Sequence, residues 1–259
     1  MHRMVRVATN HPGARSRRVV VSAAPADARI RALAIGGLVP FTSLDFPGRL
    51  AAVVFCQGCP WRCRYCHNPH LLPRASGGHA PSWPAVRTWL RTRRGLLDAV
   101  VFSGGEPTLQ AGLGPALQDV RALGFATGLH TAGIVPRRLA SVLAYVDWIG
   151  FDLKAPHGAY AQVTGRKRSG DAAFASLALV LAAGIACEVR TTVHPVLTPP
   201  AALRELAAML AARGVDRWVL QRFRADGCTD GELAATGADP LSPDVLGQLA
   251  MDVPHIVVR

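Results

Sequence analysis

The chain has 259 residues, half of them apolar and only 18% charged, so it can fill one large core as a single α/β domain. No apolar run approaches the roughly twenty residues that a membrane span requires, and a chain able to bury its own core needs no disulfide staples. It is expected in the cytoplasm, with no membrane partner. The formal charge of +12 has the look of nucleic-acid binding, but half of the excess sits in residues 1–31, where seven Arg face Asp27 alone. A basic surface without interleaved aromatics is not a nucleic-acid site, so nucleic acid is not an expected partner.

In chain order, residues 1–33 mix Pro, Ser, Ala and Arg without periodicity and read as a flexible basic extension; residues 34–259 form the functional domain. The extension lacks the continuous apolar h-region of a secretory leader. A first strand is predicted at 50–55, followed at once by Cys59, Cys63 and Cys66 in a CxxxCxxC spacing. Three thiolates at a strand end suggest an iron-sulfur cluster with one iron left open. A fourth thiolate would complete the coordination, whereas three leave an iron that a cofactor or substrate can bind through nitrogen and oxygen. Cys56 admits a second reading, CxxC followed by CxxC, the ligand set of a structural zinc site. Zinc ribbons, however, separate such pairs by roughly a dozen or more residues. Here only Pro60-Trp61-Arg62 intervene, so Cys56 is most simply a strand residue facing the core. Cys187 and Cys228 read as ordinary buried thiols.

Beyond the cysteines, helical stretches at 83–94, 113–122, 136–145, 172–183, 200–213 and 242–250 alternate with strands at 99–103, 126–130, 148–154, 186–193 and 217–223. This is the pattern of a parallel sheet wrapped by helices, and residues 254–259 add a terminal strand. The motifs fall at the C-terminal ends of strands, where loops line the mouth of such a fold. In Ser103-Gly104-Gly105-Glu106-Pro107 the paired glycines let the backbone approach a ligand, and Glu106 offers an acceptor for an ammonium group. In Trp148-Ile149-Gly150-Phe151-Asp152-Leu153-Lys154, the spacing by two puts Asp152 and Lys154 on one face, with Gly150 leaving room below them. Glu188, Arg190 and Thr192 share one face of the next strand. A surface ion pair is the plainer explanation of Asp152 and Lys154 taken alone.

Taken together, Cys59, Cys63 and Cys66, then Gly104-Gly105-Glu106 one β/α unit later, resemble the radical S-adenosylmethionine (SAM) superfamily. The resemblance implies a partial (β/α)6 barrel, TIM-like but open on one side. It implies that the three cysteines hold a four-iron four-sulfur cluster whose open iron is chelated by SAM. It further implies that Gly104, Gly105 and Glu106 meet the amino group of SAM's methionine, and that Tyr65 lies against adenine, with Asn68 following in Cys-His-Asn. Asp152-Leu153-Lys154 resembles the DLK segment of glycyl-radical activating enzymes, where the pair contacts SAM, and Arg190 matches the strand arginine near the SAM carboxylate or ribose.

The segments Phe41-Thr42-Ser43-Leu44-Asp45-Phe46-Pro47-Gly48, Cys66-His67-Asn68-Pro69, Leu129-His130-Thr131-Ala132-Gly133, Asp152-Leu153-Lys154-Ala155-Pro156 and Thr164-Gly165 look like the activating proteins of anaerobic ribonucleoside-triphosphate reductase. Members of that family cleave SAM reductively and install a glycyl radical on a partner enzyme. The resemblance therefore implies anaerobic ribonucleotide reductase as protein substrate and a low-potential electron donor such as flavodoxin or ferredoxin. One departure stands out: His130 occupies the place where pyruvate formate-lyase activases carry an acidic residue, while Thr131, a cofactor contact by the same resemblance, and Gly133 still match. A radical SAM enzyme acting on a small molecule, such as a deazapurine-forming synthase, and a non-catalytic iron-sulfur or zinc protein remain the alternatives.

Overall fold

The computed structural model describes residues 33–75, 80–236 and 239–259, so the basic extension lies outside the described residues except for Leu33. Leu33 is buried in the core at 5% exposure. One sheet of eight strands runs in sequence order: β1 (Ile35–Thr42), β2 (Ala51–Cys56), β3 (Ala99–Gly104), β4 (Ala126–Thr131), β5 (Trp148–Asp152), β6 (Ala186–Val193), β7 (Arg217–Arg222) and β8 (His255–Val258). β1 is antiparallel to β2, and from β2 onward every neighbour is parallel. Strands β2 to β7 are the six expected ones. β1 and β8 end the order without pairing to each other, which leaves a partial barrel.

The helices α1 (Trp83–Arg91), α2 (Leu113–Ala122), α3 (Pro136–Ala140), α4 (Tyr160–Thr164), α5 (Ser169–Ala182), α6 (Pro200–Ala211), α7 (Gly231–Ala234) and α8 (Pro243–Asp252) follow or interrupt the strands. Ser82 and Ser242 cap α1 and α8 by accepting from the Ala85 and Val245 amides, with Pro in the first turn of each helix. The stretch expected as one helix over 136–145 breaks after Ala140, where the Ser141 hydroxyl donates back to the Arg138 carbonyl at 2.7 Å and the chain continues as a 3-10 turn, Leu143–Tyr145. None of the described helices is long and apolar enough to cross a membrane.

β1 is the element that the apolar pattern does not announce. Its sequence, Ile-Gly-Gly-Leu-Val-Pro-Phe-Thr, holds two glycines and a proline, and its pairing with β2 slips between Ile35 and Gly37 and again between Val39 and Thr42. Proline cannot donate to a ladder and survives at a sheet's margin or at a bulge, as Pro40 does here. Gly36 is there for space: a Cβ on it would stand 2.2 Å from Leu71 Cδ2.

Strand alternation divides the core. Ala52, Val54, Val100, Phe102, Leu129, Ile149, Phe151 and Trp218 face the helices and join one large apolar cluster. Ala51, Val53, Ala99, Val101 and Trp148 face inward and, with Phe46, plug the N-terminal end of the barrel. The inward positions nearer the C-terminal ends are Ser103, His130, Asp152, Arg190 and Gln221, and there the interior turns polar.

Candidate active site

The cysteine loop leaves β2 with its alternation intact, so Phe55 faces inward and Cys56 faces the helix layer, fully buried in the apolar cluster. Burial, reinforced by the Glu106 carboxylate, pushes the Cys56 thiol far up. The following residues hang between two supports. The Gly58 and Cys59 amides donate to Leu71 and Leu72 carbonyls at 2.7 and 3.1 Å, and the Arg62 and Arg64 amides donate to Thr164 and Val163 carbonyls at 2.9 and 3.0 Å. A strap from the segment after β7 clamps the outside. Arg64 pairs with Asp230 and with Glu232, both at 2.7 Å, and His67 Nε2 donates to the Arg224 carbonyl at 2.9 Å.

Cys59, Cys63 and Cys66 line one cavity of about 410 Å³, together with Tyr65, Asn68, Gly104, Gly105, Thr131, Asp152, Lys154 and Arg190. Sequence reading named all of these. Cys56 does not line it, which removes the paired-CxxC zinc set, because its three supposed partners line the cavity while it faces away. Among the described residues no three His, Cys, Asp or Glu side chains converge as the ligands of a single metal ion. A cluster asks less, since each thiolate holds its own iron. Burial raises the Cys59 thiol to about 12 and the Cys63 thiol as well, against the backbone bond at Trp61 and the Lys154 charge respectively. Such thiols become thiolates only beside a metal centre that neutralises them. The Tyr65 hydroxyl is buried with no hydrogen-bond partner among the described residues. An orphaned polar group on a cavity wall fits a ligand that fills the space. On both counts the residues fit a cluster and a polar cofactor.

The charged wall comes from β5 and β6. Asp152 Oδ1 accepts from Arg190 Nε at 3.0 Å, and Asp152 Oδ2 lies 3.7 Å from Lys154 Nζ. Lys154 Nζ in turn sits 5.5 Å from the centre of the Tyr65 ring. Burial disfavours the Asp152 carboxylate, but Arg190 and Lys154 outweigh it and hold the carboxyl below its ordinary range. Burial likewise disfavours the Lys154 ammonium, and Tyr65 and Asp152 more than offset it. Gly150 makes this possible, since a Cβ there would meet the Arg190 guanidinium at 2.6 Å.

His130, one residue before the end of β4, lines the same cavity. Its Nε2 donates to the Asp45 carbonyl at 2.9 Å, which leaves Nδ1 as the bare acceptor. Burial and then the Arg190 charge push the imidazole down to about 3, so it is neutral.

The Gly104-Gly105-Glu106 turn is fixed by close backbone packing and by buried hydrogen bonds. Both glycines line the cavity, but their lack of a side chain serves backbone packing. A Cβ on Gly104, at φ +113°, would meet the Cys56 amide nitrogen and carbonyl oxygen at 2.5 Å, and one on Gly105 would meet the Gly58 carbonyl at 2.5 Å. Glu106 is 1% exposed and lies behind the wall. Its Oε1 accepts from the Thr108 amide and hydroxyl at 3.1 and 2.6 Å and from the Thr131 hydroxyl at 2.7 Å. Its Oε2 takes a single donor among the described residues, the Ala132 amide at 3.0 Å. Glu106 thus fixes Thr131 and Ala132, two wall residues, and retains acceptor capacity at Oε2.

Asp45, Ser103 and Gln221 also line the cavity and were not singled out as candidates. Gln221 carries the signal that could have found it, a polar residue on the same strand face as the buried Val219 and two places nearer the strand's C-terminal end.

A family model described as the radical SAM superfamily matches residues 53–216. The pyruvate formate-lyase-activating enzyme of Clostridium pasteurianum is 33% identical over 177 residues, covering 66% of this chain and 70% of that protein. A Methanocaldococcus jannaschii protein described as a glycyl-radical enzyme activating enzyme is 23% identical over 205 residues, 76% of this chain and 83% of its own length. Among solved structures, QueE from Escherichia coli aligns over 88% of this chain and 93% of its own with a TM-score of 0.53 and 17% identity. Streptococcus suis SuiB bound to S-adenosylmethionine aligns over 78% of this chain and 48% of its own, with a TM-score of 0.59 and 15% identity. At these identities the two structures bear on the fold alone.

Proposed function

Because the chain belongs to the radical SAM superfamily and is homologous to glycyl-radical enzyme activating enzymes, we propose that it installs a glycyl radical on an anaerobic ribonucleoside-triphosphate reductase. It is a radical SAM enzyme, and its cofactors are a four-iron four-sulfur cluster and SAM. Held by Cys59, Cys63 and Cys66 and by the polar wall of the same cavity, they would supply an electron and a reductively cleavable sulfonium bond, the source of hydrogen-abstracting chemistry on a partner's glycine.

One observation carries the reading: three cysteines, a tyrosine whose buried hydroxyl has no partner among the described residues, and a paired set of charges line a single cavity at the C-terminal ends of the strands. Cys59, Cys63 and Cys66 would hold the cluster and leave one iron open. Lys154, already the partner of Asp152, would donate to the carboxylate or ribose side of SAM together with Arg190. Tyr65 would lie along the adenine, with Asn68 beside it. Glu106 would accept from the methionine ammonium through Oε2, between Gly104, Gly105 and Thr131. The apolar plug of Phe46, Val53, Val101 and Trp148 closes the end of the barrel below these residues and keeps bulk water from that side. The choice of reductase as partner rests on the five segments Phe41 to Gly48, Cys66 to Pro69, Leu129 to Gly133, Asp152 to Pro156 and Thr164 to Gly165. The six free cysteines suit the cytoplasm, where thiols stay reduced.

The test is to incubate the anaerobically reconstituted, reduced protein with SAM and candidate glycyl-radical proteins, then record electron paramagnetic resonance spectra. A glycyl radical on anaerobic ribonucleotide reductase, formed with methionine and 5'-deoxyadenosine, is the expected result. A radical formed only on pyruvate formate-lyase would correct the partner. SAM cleavage without a radical on any such protein would overturn the activase reading.

A further inference from the structure

A second and larger cavity, about 780 Å³, abuts the first. Cys59 and Leu72 line both and form the partition between them. The second cavity is an open groove whose charged lining residues are Arg62, Arg74, Arg138 and Arg166, with no carboxylate among them. All four arginines are exposed. None takes part in an ion pair among the described residues. Arg62 donates to the Cys59 and Trp61 carbonyls at 2.7 and 3.0 Å, and Arg138 donates to the Leu109 carbonyl. The floor is preformed, because Gln57 Nε2 donates to the His70 and Pro73 carbonyls at 3.0 and 2.8 Å, and Gln110 donates to the Gln57 carbonyl.

We propose that this groove is the docking surface for the reductant, a small one-electron carrier protein that presents an acidic surface around its redox centre. The inference rests on the radical SAM reading and deepens it. SAM and the partner's glycine must reach Tyr65, Asp152, Lys154 and Arg190, none of which lines the groove. The electron needs only the cluster, and Cys59 brings the groove within one residue of it. The step is simple to balance: the carrier loses one electron, the oxidised cluster gains it, and no bond or proton moves. Transfer by this route falls steeply with distance, so a seat against a ligand residue is favourable. The guanidiniums come from four separate chain segments, a spread that suits a charged protein surface better than a point anion. Arginine is suited to this task because its planar fork takes carboxylates two-handed. Unpaired surface charge of one sign also steers an oppositely charged partner and accelerates its arrival.

The experiment uses the loaded holoenzyme and a flavodoxin as probe, with calorimetric binding and stopped-flow bleaching of the cluster absorbance as readouts. The combined variant Arg74→Glu, Arg138→Glu, Arg166→Glu is compared with a control of equal charge change outside both cavities, Arg91→Glu, Arg204→Glu, Arg217→Glu. At low salt the groove variant should bind flavodoxin and accept its electron at least about tenfold more weakly and slowly. Iron content and reduction by dithionite should stay as in wild type. Raising ionic strength from about 0.01 M to about 1 M shortens the screening length from about 30 Å to about 3 Å and should erase the difference. Unchanged flavodoxin binding and rate, or an equal loss in the control, would overturn the proposal. Should the combined variant lose iron, Arg166→Glu alone carries the test, with a loss of about threefold expected and no change overturning it. A wild-type cluster that dithionite cannot reduce would instead overturn the reading beneath the proposal.

Discussion

The two faces of the sheet solve opposite problems with the same strands. Facing the helices, Cys56, Phe102, Leu129, Phe151 and Trp218 are all at 0% exposure in one apolar cluster, and that face does nothing but pack. Facing inward, the strands begin as an apolar plug and end in His130, Asp152 and Arg190, a neutral imidazole and an ion pair whose carboxylate also lies 3.7 Å from Lys154 Nζ. Charge is tolerated in a barrel interior only where each group has a partner. The polar end is therefore affordable as a set and costly when any member is lost. Cys56 and Cys59, three positions apart, fall on either side of this division.

The sharpest break should come from the thiols on the cavity side. Cys63→Ala, and likewise Cys59→Ala or Cys66→Ala, should abolish the cluster's visible absorbance and all SAM cleavage, since each would remove the one protein ligand proposed for an iron. Iron and sulfide analysis of the anaerobically purified variants checks this. A full complement of iron in Cys63→Ala would mean that the ligand set has been misplaced.

Next in size is the loss of a single charge from the polar wall. Lys154→Ala should leave iron content intact and weaken SAM binding about ten- to a hundredfold, the value of one charge-assisted hydrogen bond at roughly 1.5 to 3 kcal/mol. Equilibrium binding of SAM to the reconstituted variant measures it. Unchanged affinity in a folded protein would reduce Asp152 and Lys154 to an ion pair of purely structural value.

The division between faces also decided what could be read from sequence. Strands β2 to β7 were legible because burial on both faces makes their runs nearly continuous, and the cysteine triplet and the Asp152/Lys154 spacing were legible because local chemistry fixes them. β1 was not, because Gly36, Gly37 and Pro40 contradict strand propensity, Gly36 being there to clear Leu71 and Pro40 lying where the pairing slips between Val39 and Thr42. The short helices α4 and α7 escaped for a related reason: they are tertiary props for the cysteine loop, one accepting its amides and the other presenting Asp230 and Glu232 to Arg64. Gly104 and Gly105 were found, but their cause was not. What they avoid is the backbone of β2 and its loop, distant in sequence and adjacent only in the fold.

A smaller effect distinguishes the neutral member of the wall. His130 titrates near 6.5 when unfolded and is pushed down to about 3 when folded, so the unfolded chain binds the extra proton between those values. Its contribution to stability is complete above pH 6.5 and is lost as pH falls toward 3. His130→Gln, which keeps a donor for the Asp45 carbonyl, should remove roughly 1 to 2 kcal/mol of the stability loss seen between pH 7 and pH 5. Denaturant unfolding of both proteins at the two pH values gives the difference. Parallel pH profiles would show that the imidazole is solvated and protonates freely.

The smallest change is expected where the sequence placed the most ambiguous thiol. Cys56 sits at 0% exposure on the outer face, its thiol is held protonated by burial, and it does not line the cavity. Removing its sulfur deletes one buried atom and leaves a void smaller than a methylene pair, so Cys56→Ala should cost about 1 kcal/mol of stability. Cluster content, SAM affinity and SAM cleavage should match wild type, since the residue does not line the cavity. The measurement pairs a denaturation midpoint with an iron assay on the same preparation. If iron fell while stability held, the outward direction of Cys56 would be wrong, and the boundary between the packing face and the chemical face would have to move by one strand position.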